Sequence, residues 1–135
     1  MNLCYLGLGS NLQTPERQIR KALKAIRAIP NTAIIKVAPL YPNKAMGLKM
    51  QPDYSNTVVA IKTFLTPIEL LNFCQQIEKK QGRVRKIRWG ARTLDIDILY
   101  FGTKKLKSPR LQLPHPGVID RDFVQIPLKS LQNNF

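Results

Sequence analysis

A chain of 135 residues with 44% hydrophobic content carries enough apolar material for one domain with a real core, which excludes disorder for its body. Its 22 Lys and Arg against 8 Asp and Glu give a net charge of +14, a field that attracts phosphate as nucleic acid, an anionic membrane or a small polyphosphate. Cys4 and Cys74 share no metal-ligand spacing and no apolar run approaches membrane-spanning length, so two buried free thiols in a soluble cytoplasmic chain are expected.

In chain order, Leu3 to Gly9 reads as a strand that closes on a Gly-Ser-Asn turn. Thr14 suits an N-cap and Pro15 the first position of a helix. Ile19, Leu23 and Ile26 recur there at helical spacing, and Arg17, Arg20, Lys21, Lys24 and Arg27 take the other face. Pro30-Asn31 stops the helix, and TAIIKVA is a short β-branched strand. Residues 39–53 hold prolines, a glycine and no period, which predicts a long functional loop. SNTVVAIKT is a third strand. Thr66-Pro67-Ile68-Glu69 is a capping box with proline at the first helical position, Leu70, Cys74 and Ile77 line the buried face, and Gly82 ends the helix. The basic loop RVRKIRWGAR leads into the strand TLDIDILYFG and a turn near residues 102–104. PRLQLPHPGVIDRDF then reads as a proline-rich loop with at most a short helical turn, and the tail after Leu128 reads as polar and frayed. The order β-α-β, β-α-β predicts an α+β fold: a ferredoxin-like sandwich with a mainly antiparallel sheet, helices on one face and two long loops at the active site.

Several common phosphate signatures are missing. There is no Walker-type G-x-x-x-x-G-K-[ST], and GLGSNL lacks the third glycine of a dinucleotide fingerprint. His115 is the only histidine, which excludes a histidine-rich metal site. The chemistry falls instead on Asp95 and Asp97. At i and i+2 on a strand they share one face, roughly 7 Å apart, while Leu94, Ile96 and Ile98 share the other. Such a pair can hold hard cations such as Mg²⁺; a salt-bridged sheet surface fits the same spacing. Arg83, Arg85, Lys86, Arg88 and Arg92 fall within ten residues of the loop before that strand, with Trp89 among them. Carboxylates for metal beside guanidinium groups for phosphate is the combination phosphoryl transfer requires. Tyr54, Asn56 and Phe123 can sandwich and read a flat heterocycle. An RNA-binding domain on the same topology is the rival reading. It accounts for the charge, but the aromatic RNP1 run is missing and the two aspartates have no role in it.

Taken together, GSNL, QPDYSN, GRVRKIRWGARTLDIDIL and LPHP…DRDF resemble the 6-hydroxymethyl-7,8-dihydropterin pyrophosphokinase family of folate biosynthesis, from about Leu3 to Leu128. The resemblance implies an ATP-dependent enzyme that moves a diphosphate to a pterin alcohol and releases AMP. It implies that Asp95 and Asp97 bind two Mg²⁺ ions. It puts Arg83 and Arg92 on a mobile loop that closes over the reaction. Gln75, Glu78, Arg85, Arg88, Trp89, Ile98, Arg110, His115 and Arg121 are implied for the ATP site, and Gly9, Asn43, Tyr54, Asn56 and Phe123 for the pterin site. ATP and the pterin are then the partners of a monomer, with neither membrane nor nucleic acid. The chain departs from the family's usual pattern at Asn43 for threonine, Ala91 for proline, Pro116 for an aromatic beside His115, and Ile87 in a basic loop one residue shorter.

Overall fold

A computed structural model describes residues 1–10, 15–43, 54–82 and 94–117, with Gln125, Leu128, Lys129 and Leu131. In chain order the elements are β1 (Asn2–Ser10), α1 (Pro15–Arg27), β2 (Thr32–Val37), β3 (Tyr41–Asn43), β4 (Tyr54–Thr63), α2 (Pro67–Lys80), β5 (Asp95–Phe101), β6 (Leu106–Lys107) and β7 (Gln112–Leu113). The main sheet runs β2-β4-β1-β5 with every neighbouring pair antiparallel. This is the strand order of a ferredoxin-like α+β sandwich, as the element order predicts.

Local chemistry accounts for the helices. The Thr66 hydroxyl accepts the Glu69 N–H at 3.2 Å, and the Glu69 carboxylate accepts the Thr66 N–H at 2.8 Å. Two of the orphan donors at the start of α2 are thereby satisfied, and Pro67 has no N–H to satisfy. The helix ends at a Gln81 cap followed by Gly82 at φ +84°, a conformation that costs glycine least. The apolar stripes of α1 (Ile19, Ala22, Ile26) and α2 (Leu70, Leu71, Cys74, Ile77) cover Cys4, Leu6 and Leu8 of β1, Val59 and Ile61 of β4, and Ile96, Ile98 and Phe101 of β5. Both cysteines are buried and free.

Three expectations need correction. Residues 41–43 are not loop but strand β3, which pairs with β4 from Tyr41↔Asn56 to Asn43↔Tyr54. β4 is longer than its partner β2, whose last pair is Val37↔Val59, so the chain returns to the β4 edge after Ala38–Leu40. Pro42 is compatible with this because an edge position asks no ladder donor of it. The proline-rich stretch after the Gly102 turn contains a small hairpin, β6 against β7, whose Leu111 and Leu113 reach the helix-side core. The tail is also more than polar fringe. Leu128 and Leu131, both helical, are buried in a second cluster on the opposite face with Tyr5, Ala38, Val58, Ala60 and Leu99.

Candidate active site

The site begins with strand parity. Leu94, Ile96 and Ile98 point into the helix-side core, so Asp95 and Asp97 share the opposite face, partly exposed. Register supplies their neighbours. Asp95 is opposite Gly9, which is opposite Asn56; Asp97 is opposite Gly7, which is opposite Val58. Residues directly opposite in an antiparallel sheet share a face, so each row holds a carboxylate, a glycine and a β4 side chain. The glycines leave a floor without side chains. At Gly7 an added Cβ would sit 3.4 Å from a Leu99 methyl, an ordinary van der Waals contact, so Leu99 borders the floor there. Asn56 and Asp95 stand two strands apart, roughly 9.5 Å by ordinary strand spacing, which is the scale of a bicyclic ring. Asn56 is 6% exposed, and its Nδ2 is buried without a hydrogen-bond partner among the described residues. An orphaned buried donor is costly, and a ligand's acceptor would repair it.

Beside this floor lies a cavity of about 350 Å³, within the size range of small-molecule sites. Gln75 and Glu78 of α2, Asp97 and Ile98 of β5, Arg110 of the β6–β7 turn and His115 line it. Four hydrogen bonds assemble the wall. Arg110 Nη2 donates to Asn72 Oδ1 at 2.6 Å and to Gln75 Oε1 at 3.0 Å, which docks the hairpin on α2. Ile96 N donates to Glu78 Oε2 at 2.8 Å, tying α2 to β5. His115 N donates to Leu99 O at 3.0 Å. Leu99 owes its position to a bulge: Tyr5 pairs with Tyr100 but Leu6 pairs with Ile98, so one extra residue enters β5. The bulge sends Leu99 to the open face and returns Phe101 to the core.

His115 is oriented at both nitrogens. Its Nδ1 accepts the Gly117 N–H at 3.0 Å, which leaves the ring proton on Nε2, and Nε2 lies 3.7 Å from Asp97 Oδ1. A thiol nucleophile is excluded nearby. Burial, reinforced by the charges of Glu78 and Asp97, pushes the Cys74 thiol up to about 12. Burial likewise raises Cys4 to about 12, against a smaller opposing effect of the Gly102 backbone.

Asp95 and Asp97 offer hard anionic oxygens, and among the described residues no cluster of three or more His, Cys, Asp or Glu is arranged to hold a metal. Such a pair fits Mg²⁺, which takes one or two protein carboxylates and completes its shell with phosphate oxygens and water. It does not fit a structural zinc site.

Of the residues singled out from sequence, Gly9, Asn56, Asp95 and Asp97 come together on the open sheet face. Gln75, Glu78, Ile98, Arg110 and His115 come together around the cavity, and Asp97 belongs to both groups. The backbones of Asn43 and Tyr54 pair with each other beside the Asn56 row. Arg83, Arg85, Arg88, Trp89, Arg92, Arg121 and Phe123 lie outside the described residues, as do residues 44–53 of the long loop expected at 39–53. Sequence reasoning missed Gly7 and Asn72. Gly7 was legible in principle, because it is two residues from Gly9 and so shares its face. Asn72 was not, because its partner Arg110 is 38 residues away in the chain.

A ferredoxin-like α+β sandwich whose arginine- and histidine-lined cavity reaches Asp97 of a carboxylate pair is suited to a transferase that handles a phosphorylated compound. Comparison with known proteins narrows that class. Residues 5–133 match the family model for 7,8-dihydro-6-hydroxymethylpterin-pyrophosphokinase (HPPK). A Haemophilus influenzae protein named 2-amino-4-hydroxy-6-hydroxymethyldihydropteridine pyrophosphokinase is 47% identical over 134 residues, covering 99% of this chain and 84% of that protein. Proteins of the same name from Pseudomonas aeruginosa and Bacillus subtilis are 48% and 38% identical, covering 94% and 96% of this chain and 78% of each relative. The chain belongs to the HPPK family, as its motifs implied, and is an ATP-dependent diphosphotransferase. No helix among the described residues is long and apolar enough to cross a membrane.

Proposed function

We propose that this chain transfers the diphosphate of ATP to the hydroxymethyl group of 6-hydroxymethyl-7,8-dihydropterin and releases AMP, as a monomer in the cytoplasm, in folate biosynthesis. The observation that carries this reading is the double membership of Asp97. It lines the cavity with Gln75, Arg110 and His115, and it flanks the glycine floor that leads to Asn56. A nucleotide in the cavity and a flat ring on the floor would meet at that carboxylate.

The residues divide the work accordingly. Arg110 and His115 bind the nucleotide from the hairpin side, with Gln75 and Ile98 beside them and Arg85, Arg88, Trp89 and Arg121 completing the site. Asn56 donates its buried Nδ2 to an acceptor on the pterin edge, and Tyr54 and Phe123 hold the ring faces, with Gly9 and Asn43 along its border. Two Mg²⁺ ions held by Asp95 and Asp97, when bound, lower the pKa of the substrate hydroxyl and neutralise charge on the phosphates. The hydroxyl oxygen forms its bond to the β-phosphorus in line as the bond to the departing AMP oxygen breaks. Arg83 and Arg92 pair with the phosphates, and closure of their loop excludes water that would hydrolyse ATP. No covalent protein nucleophile takes part.

The test is to incubate the protein with ATP, Mg²⁺ and the pterin alcohol and to identify products by mass. AMP with a pterin diphosphate supports the proposal. ADP, or no reaction by folded protein, counts against it.

A further inference from the structure

We infer that Glu78 is a positioning residue for the carboxylate pair, acting through the backbone of Ile96. Glu78 lies on the buried face of α2, one turn beyond Cys74, and is 5% exposed. A carboxylate on an apolar helix stripe is costly unless something pairs with it. Its Oε2 takes the N–H of Ile96 at 2.8 Å. That N–H belongs to the one residue between Asp95 and Asp97. Among the described residues β5 pairs in the ladder only with β1, which makes it an edge strand of the main sheet. Glu78 supplies from the helix an acceptor that a further strand would otherwise supply. The pleat at Ile96 sets the direction of both flanking side chains, so fixing this one amide fixes the angle at which the two carboxylates leave the sheet. Phosphoryl-transfer geometry tolerates displacements of only about 0.5 Å, which gives this restraint a catalytic consequence. The contribution is distinct from contacting nucleotide, although Glu78 also lines the cavity.

The inference rests on the diphosphate-transfer reading, so wild-type AMP release is measured first; no release there would defeat that reading and leave the Ile96 restraint to be judged on the metal-free readout. Two variants separate the roles. Glu78→Gln keeps an oxygen acceptor for Ile96 N, and Glu78→Leu removes it at similar volume. In metal-free protein the amide exchange of Ile96 should stay slow in Glu78→Gln and become faster in Glu78→Leu. Calorimetry with Mg²⁺ and a non-hydrolysable ATP analogue, together with kcat at saturating ATP, should show a loss of about tenfold or more in Glu78→Leu, the scale seen when the support of a metal ligand is removed. The loss in Glu78→Gln, which keeps the acceptor, should be several-fold smaller than in Glu78→Leu. If Glu78→Leu does not fold, Glu78→Ala replaces it with the same expectation.

The inference would be overturned by unchanged Ile96 exchange in the variant lacking the acceptor, by a lower melting temperature with unchanged kcat and Mg²⁺ binding, or by a Glu78→Gln defect as large as that of Glu78→Leu. A rise confined to the KM for ATP would also overturn it, because that is the signature of a direct nucleotide contact.

Discussion

The glycine floor and the nucleotide wall meet at Asp97 but are built in different ways. The floor is made by register. Once β1 lies between β4 and β5, Gly7 and Gly9 must stand between Asn56, Val58 and the two aspartates. The wall is made by docking. A hairpin from the proline-rich segment is tied to α2 by Arg110 and carries His115 toward the bulge at Leu99. The floor therefore draws its geometry from central strands that the whole sheet holds. The wall draws its geometry from a few side-chain hydrogen bonds, some of them at exposed residues. Changes to the floor should affect chemistry and ring recognition with little loss of stability. Changes to the wall should affect nucleotide affinity.

The largest effect is expected at the junction. Asp97→Asn, with Asp95→Asn as companion, should lose about 10²-fold or more of turnover, because a neutral amide is a weaker ligand for a hard cation. The metal-free protein should remain folded, so that the loss is one of metal binding and not of structure. AMP-release assays and melts with and without Mg²⁺ check both halves. A variant that melts earlier yet turns over normally would make the pair a structural feature of the sheet. On the floor, Asn56→Leu removes a donor that is buried without a partner among the described residues. The melting temperature should hold or rise, while the KM for the pterin should increase by about tenfold or more, as expected when a site loses a hydrogen bond it offers its ligand. A large drop in melting temperature would show that Asn56 serves the fold instead.

A smaller effect is expected at the wall. Arg110→Ala should raise the KM for ATP by about tenfold with little change in kcat or melting temperature, because the side chain is exposed and its charge-assisted bonds would be with phosphate or sugar oxygens. Asn72→Ala should reproduce part of that rise through loss of the 2.6 Å contact. If it does so without affecting pterin binding, wall and floor are separable. The smallest effect is a pH dependence. Cys4 and Cys74 are held up to about 12 when folded, so the folded chain keeps protons that the unfolded chain releases above about 8.5. Stability should be insensitive to these thiols at neutral pH and should fall as pH rises from about 9 toward 12. Denaturation measured across that range checks the sign, and a thiol reagent should modify neither cysteine in the native protein at pH 8.

The sequence was most readable where local rules govern. The capping box at Thr66 and Glu69 and the i, i+2 parity of Asp95 and Asp97 need only neighbours in the chain, and both appear as expected. The order of elements was enough for the ferredoxin-like sheet. What could not be read depends on partners far along the chain. β3 forms because β4 outruns β2, a length difference that only pairing reveals. The hairpin at residues 106–113 is short and proline-flanked, so its pattern is too brief to stand out, and it is held by Arg110 on a helix. The bulge at Leu99 reverses strand parity, and DIDILYF carries no local mark of it. Leu131 read as part of a polar tail because a single leucine shows no period, yet it is 1% exposed under the sheet.

In the proposed reaction the two carboxylates of β5 hold the cations that serve the transfer. Counting bound Mn²⁺ by electron paramagnetic resonance, with Mn²⁺ in place of Mg²⁺ and a non-hydrolysable ATP analogue with the pterin present, tests it most directly. Wild-type protein should bind two ions tightly, and Asp97→Asn should lose at least one while remaining folded. Equal numbers of tightly bound ions in both proteins would contradict the claim.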